Sequence, residues 1–140
     1  MSRRELREHI FKILFDLDFY GESEKEEQMD LYFEQALDDD LANPPSFVAP
    51  EDREYIRDKA GRIAARIPQI DESINQVAKG WRTGRMAKAD LAILRLAVYE
   101  MRCDDEIPVS VAINEAVELA KKFGSDGSPS FINGILAKLI

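Results

Sequence analysis

Apolar residues recur along this chain every three or four positions, the spacing of one face of an α-helix, and no convincing pair of strand-like alternations is present. The segment 3–19, RRELREHIFKILFDLDF, sets Leu6, Ile10, Ile13, Leu14 and Leu17 at that spacing. Ser2, followed three residues later by Glu5, reads as a capping box that opens this helix near Arg3, and Gly21 closes it. A second helix is predicted from EKEEQMDLYFEQALDDDL, with Met29, Tyr32, Phe33, Ala36 and Leu37 as its apolar stripe and acids on its other faces. Asn43, Pro44 and Pro45 form a rigid loop, because the residue before each proline is pushed out of the helical region. Pro50 suits a first helical position and opens a third helix through Ile56, Ala60, Ile63 and Ile67. Pro68 ends or kinks it.

A shorter helix over about Gln69 to Lys79 carries Ile70, Ile74 and Val77 before GWRTGR interrupts the pattern with two glycines. KADLAILRLAVYEMRC follows, apolar at Leu91 to Leu94, Leu96 to Val98 and Met101, and predicts a central helix buried on most sides. PVSVAINEAVELAKKFG then begins at Pro108, has Val111, Ala112, Val117, Leu119, Ala120 and Phe123 apolar, and stops at Gly124. In the last helix Ser128 caps, Pro129 takes the first helical position, and Phe131, Ile132, Ile135, Leu136 and Leu139 face inward. The expectation is an all-α fold of about seven helices in two packed sub-bundles, residues 1–67 and 68–140 of a single domain.

The 140 residues fit one core, and 45% apolar with 33% charged residues is the composition of a soluble globular chain. No run of 18 apolar residues could span a membrane, and MSRRELREHI runs into alternating charge without a signal-peptide core, so a cytoplasmic location is expected. The lone Cys103 has no partner for an internal disulfide. The net charge of −8 is uneven: residues 22–40 hold nine acids against Lys25, which leaves 18 acids and 18 bases for the rest of the chain. A local basic surface is therefore compatible with the acidic total.

A search for catalytic chemistry turns up little. One His9 and one distant Cys103 cannot supply a zinc set, and no other base is present to activate a serine or cysteine. His9, beside Glu5 and Glu8, reads as a solvated surface residue, and Asp104 with Asp105 or Asp38 to Asp40 read as solvated turns and helix ends. Gly-rich phosphate cradles after a strand are absent, so neither an enzyme nor a bound cofactor or metal is expected. Three basic groups remain. Arg3, Arg4 and Arg7 crowd the first turns of the first helix; Lys79, Arg82, Arg85 and Lys88 surround the glycine-containing turn; and Lys121 and Lys122 end a helix, where they also complement its dipole. The arginine cluster suits phosphate contacts, but an ordinary solvated surface, with Arg4 and Glu8 as an ion pair, is the commoner meaning of such a pattern, and each group alone is a weak signal.

SRRELREHIFKILFDLDF, Trp81, DLAILRLAVYEM from Asp90, IPVSVAINEAVELAKKFG and SPSFINGIL resemble in order and spacing the NusB family of bacterial transcription antitermination proteins. The resemblance covers nearly the whole chain and is strongest from Asp90 to Leu136. It implies an all-helical RNA-binding factor, without catalysis, that binds the boxA element of ribosomal RNA leader transcripts together with NusE, a ribosomal protein of the small subunit. It further implies loading onto RNA polymerase with other Nus factors, and for some members self-association into a homodimer. Carried onto this sequence, it makes Arg3, Arg4 and Arg7 an RNA-contacting motif, with Lys79 and Lys121 as added cations. Phe15 stands where relatives often have tyrosine, so a stacking ring remains without its hydroxyl. Phe131 matches an aromatic near the RNA, though its spacing with Ile135 also fits core packing. Ser128 lies at a helix N-terminus, where backbone N–H groups favour a phosphate. Asp90 falls on the surface facing NusE, and is also the acid that a helix dipole favours. Gly127 and Ser130 depart from the charged residue that relatives often carry there, which bears on how tightly this loop grips RNA. Within the resemblance, Asn114 and Glu115 belong to a scaffold helix, with Asn114 bonded to a neighbouring loop. The alternative function is a helical adaptor that uses the acidic segment 22–40 to bind a basic partner. A third, an accessory domain of an RNA methyltransferase, lacks any methyl-donor motif in this sequence.

Overall fold

The computed structural model describes residues 1–20, 24–39 and 48–140. Within them the chain forms α1 (Arg3–Leu17), α2 (Lys25–Asp39), α3 (Pro50–Ala65), α4 (Ile67–Val77), a single 3-10 turn (Thr83–Arg85), α5 (Lys88–Cys103), α6 (Val109–Phe123) and α7 (Ser128–Ala137). No strand occurs among the described residues, and the fold is all-α. The chain divides into two compact units, Met1–Arg62 and Ile63–Ile140. Gly21 and the Asn43 to Pro45 loop, along with the side chains of Ala36 and Leu37, lie outside the described residues.

In the first unit the capping box forms as its sequence requires. The Ser2 hydroxyl accepts from the Glu5 N–H at 3.1 Å, and the Glu5 carboxylate accepts from the Ser2 N–H at 3.5 Å, so two of the donors a helix start leaves unpaired are satisfied. Ile10, Phe11, Ile13, Leu14 and Leu17 of α1 are buried, as are Met29 and Phe33 of α2 and Ile56 and Ala60 of α3. α3 meets the Phe33 ring through charge: the guanidinium carbons of Arg53 and Arg57 lie 5.3 and 5.5 Å from its centroid, and Arg57 also pairs with Asp30.

The second unit is organised around α5. From Leu91 to Tyr99 every residue is buried, which a helix apolar on nearly all sides demands, because no rotation could turn a polar face to water. α4, α6 and α7 all pack on it, and α6 and α7 pack on each other. α6 contributes Ala112, Ala116, Leu119 and Ala120, and α7 contributes Ile132, Ile135 and Leu136. The small alanines let α6 approach its neighbours closely. Arg95, the one cation inside the α5 run, is held by a fork-to-fork pair: its Nε donates to Asp71 Oδ1 at 2.9 Å and a terminal nitrogen to Oδ2 at 2.7 Å. This clasp fixes α4 on α5 and keeps a buried charge paired.

Element ends differ from the sequence reading by one or two residues. α4 begins at Ile67 rather than near Gln69, with Pro68 in its first turn, where a missing N–H leaves no helical bond unmade. Gly127, not Ser128, is the cap of α7, and Ser128 is its first residue. Gly124 ends α6 through space rather than through a left-handed backbone: a Cβ there would lie 2.6 Å from Ser128 Cβ and Oγ and 2.8 Å from the Ala120 carbonyl. Val111, expected inward, is 39% exposed, and Asn114 is exposed with no side-chain hydrogen bond among the described residues.

Leu94, with no exposed surface, is the sharpest probe of the α5 core. Leu94→Ala is expected to lower unfolding stability in urea by about 2–5 kcal/mol, the transfer and cavity cost of a buried leucine. A loss below about 1 kcal/mol would mean that α5 is not the centre of the core.

Candidate nucleic-acid interface

In the first unit, Arg3 and Arg4 are exposed in the first turn of α1, whereas Arg7 is only 6% exposed; Arg4 and Arg7 are both engaged by neighbouring groups. The helix spacing explains the difference. Residues 7, 10, 14 and 17 share a face, and Ile10, Leu14 and Leu17 must turn inward, which carries Arg7 with them. Its aliphatic stem packs while its charge is held by the protein. Phe11, Phe15 and Phe19 form a row at four-residue intervals, the first two on α1 and Phe19 in the turn just past its end. Phe15 is half-buried between the other two, 6.3 Å from Phe11 in a tilted arrangement and 5.3 Å from Phe19 edge to face. Phe19, at 59% exposure, is the ring of this row most open to a partner, and its sequence position alone did not single it out.

His9 is not the solvated residue its charged neighbours suggested. It is half-buried, and its Nδ1 lies 2.5 Å from the Tyr32 hydroxyl, with the two rings edge to face at 5.8 Å. The contact joins α1 to α2 across 23 residues, a pairing that no local pattern signals. Burial pushes the Tyr32 phenol above its ordinary value, and the negative charges of Asp16 and Glu8 push the same way. Desolvation also raises the Asp16 carboxyl. The phenol therefore stays neutral, donating to a neutral imidazole or accepting from a protonated one.

In the second unit, Lys121, Ser128 and Phe131 gather where α6 turns into α7. Lys121 is exposed and bonds Glu118 at 3.3 Å; Phe131 is half-buried, with part of its ring accessible. Ser128 is only 2% exposed, and its hydroxyl accepts from the Ser125 N–H at 2.9 Å. The Ser128 N–H is itself bonded to the Ser125 carbonyl at 3.0 Å and Pro129 has none, so two of the donors that a helix start offers an anion are already spent. Lys79 and Asp90 stand near the two ends of the α4 to α5 connection. Lys79 is exposed; Asp90, in the first turn of α5, is 9% exposed, and its Oδ1 has no hydrogen-bond partner among the described residues. A buried carboxylate oxygen left open is costly unless the helix dipole and an incoming donor offset it.

These exposed groups are cations and aromatic edges on helix ends and turns. Among the described residues no three His, Cys, Asp or Glu side chains are grouped to hold a metal ion, and no helix is long and apolar enough to cross a membrane. Fold and surface define a small all-α protein that exposes cations and aromatic rings at its helix ends and turns. The chain belongs to the NusB family, whose model matches residues 4–140. It is 49% identical to the transcription antitermination protein NusB of Agathobacter rectalis, over 99% of this chain and 98% of that protein. With the protein of the same name from Lachnoclostridium phytofermentans it shares 48% identity, over 100% and 99% of the two chains. The solved structure of T. maritima NusB superposes with a TM-score of 0.79 at 29% identity, covering 99% of this chain and 90% of that one.

The raised phenol gives a pH signature. A proton held more tightly in the folded state means stability that is complete below the ordinary tyrosine value of 10.0 and is lost as pH rises above it. Tyr32→Phe should remove this part of the alkaline destabilisation while costing some stability at neutral pH. Denaturation curves at neutral pH and above about pH 10 test it; identical alkaline losses in both proteins would refute the assignment.

Proposed function

We propose that this protein is a transcription antitermination factor that binds boxA RNA of ribosomal RNA leader transcripts jointly with NusE, in the cytoplasm, as part of an RNA polymerase complex with other Nus factors. The observation that carries the reading is membership of the NusB family over residues 4–140, with relatives named transcription antitermination protein at up to 49% identity. The reading assigns no catalytic step to the chain.

The exposed Arg3 and Arg4 supply phosphate contacts, and Arg7, held inside, positions the first turn that presents them. On the second unit, Lys121 and the half-buried Phe131 supply RNA contacts at the α6 to α7 corner, where buried Ser128 shapes the loop. Lys79 adds a cation on the α4 to α5 connection, and Phe15 supports a stacking surface through Phe19. Asp90, in the first turn of α5, belongs to the surface that faces NusE, with its Oδ1 buried beneath that surface. Self-association of two copies would compete for the same surfaces.

The test is binding of boxA RNA and a scrambled control at two salt concentrations. Arg3→Ala and Arg4→Ala should each weaken boxA binding and lower the slope of affinity against salt by about one phosphate contact. Equal affinity for both RNAs, unchanged by either substitution and lost on neutralising Glu24, Glu26 and Glu27, would favour an adaptor that uses its acidic helix.

A further inference from the structure

Trp81 is the chain's only tryptophan, and at 61% exposure it is the most open aromatic ring among the described residues. It stands in the connection between α4 and α5, a segment of unusual charge for an acidic protein. Residues 73–89 contain no Asp or Glu, and hold Lys79, Arg82, Arg85 and Lys88, all of them exposed. A large apolar ring left in water within a cationic segment needs a reason, since burying it would have been favourable.

The turn that carries it is built, not frayed. The Trp81 N–H donates to the Ala78 carbonyl at 3.2 Å, and Gly80, at φ 88, takes a backbone conformation that a side chain would strain. Asn75 reaches across from α4 and holds the far side twice: its Oδ1 accepts from the Thr83 N–H at 2.8 Å and its Nδ2 donates to the Thr83 hydroxyl at 3.3 Å. Buried Met86 anchors the exit into α5. The indole is thus held outward at little further cost in conformational freedom when a ligand arrives.

We infer that this turn is a second RNA contact, in which an unpaired base stacks on the Trp81 indole while Lys79, Arg82 and Arg85 take the flanking phosphates. An aromatic face among cations is the arrangement that single-stranded nucleic acid uses, and stacking tolerates any base because every base has a π-face. A paired base would not serve, since its faces are covered by its neighbours. The inference rests on the RNA-binding reading above and adds to it a site on the second unit that is distinct from the α6 to α7 corner.

Because Trp81 is the sole tryptophan, the full-length protein carries its own reporter. Titration with a short single-stranded RNA containing boxA should quench the indole emission with the same midpoint that anisotropy of labelled RNA gives. Trp81→Ala should weaken binding about five- to 150-fold, with Trp81→Phe within a few-fold of the parent and helical circular dichroism unchanged in both. Arg82→Gln with Arg85→Gln should flatten the salt dependence, which Trp81→Ala should leave intact. RNA binding without quenching, equal in Trp81→Ala and lost in Arg3→Ala with Arg4→Ala, would overturn this inference and leave the RNA reading standing. Absence of RNA binding by the parent protein would remove both. Quenching by poly-glutamate but not by RNA would assign the turn to an acidic protein and overturn the inference.

Discussion

The burial of α5 is the constraint on which the rest of the second unit depends. A stretch from Leu91 to Tyr99 with no face to spare for water must be enclosed, so α4, α6 and α7 are arranged around it. The one charge inside that run, Arg95, is met by Asp71 in a two-pronged pair that offsets the cost of its burial. That pair adds direction to a core that apolar contact alone would leave free to slide. With the helix bodies committed to packing, the exposed cations and aromatic rings of this unit stand at ends and turns, among them Lys79, Trp81 and Lys121, with Phe131 half-buried.

The first unit follows a related logic with a different outcome. α1 must bury Ile10, Ile13, Leu14 and Leu17, and its arginine motif is split by that demand: Arg3 and Arg4 stay outside while Arg7 follows the buried face. Motif residues that look equivalent along the sequence thus take different physical roles. The outer pair is open to solvent, where cations exchange counterions for phosphates, whereas the inner one is shut away from it. The acidic run on α2 is partly neutralised inside the unit, since Asp30 pairs with Arg57.

Much of this was legible in the sequence because helical periodicity is a local property. The capping box at Ser2, the opening of α3 at Pro50, the enclosure of α5 and the glycine at the end of α6 all come from residues within a few positions of one another. What was not legible depends on tertiary partners. His9 meets Tyr32 across 23 residues, so its charged neighbours in sequence misdescribe its surroundings. Ser128 sits in the first turn rather than at the cap, and its hydroxyl is taken by the Ser125 N–H instead of by an N–H of its own helix. Trp81 is placed by the sequence only in a turn that breaks the helical pattern, and its 61% exposure comes from the structure. For the candidate site, the cations and rings are visible in the sequence but their exposure is not: Arg7 and Ser128 are buried, while Phe19 and Trp81 are open.

The central claim is that a rigid helical interior presents cations and aromatic rings at helix ends and turns to RNA. Backbone amide shift mapping of the full-length protein during titration with boxA RNA tests it most directly. The account predicts perturbations at residues 3–4, at 121–131 and around Trp81, with the interior of α5 unmoved. Perturbations confined to the acidic residues of α2, or spread through Leu91 to Tyr99, would contradict it.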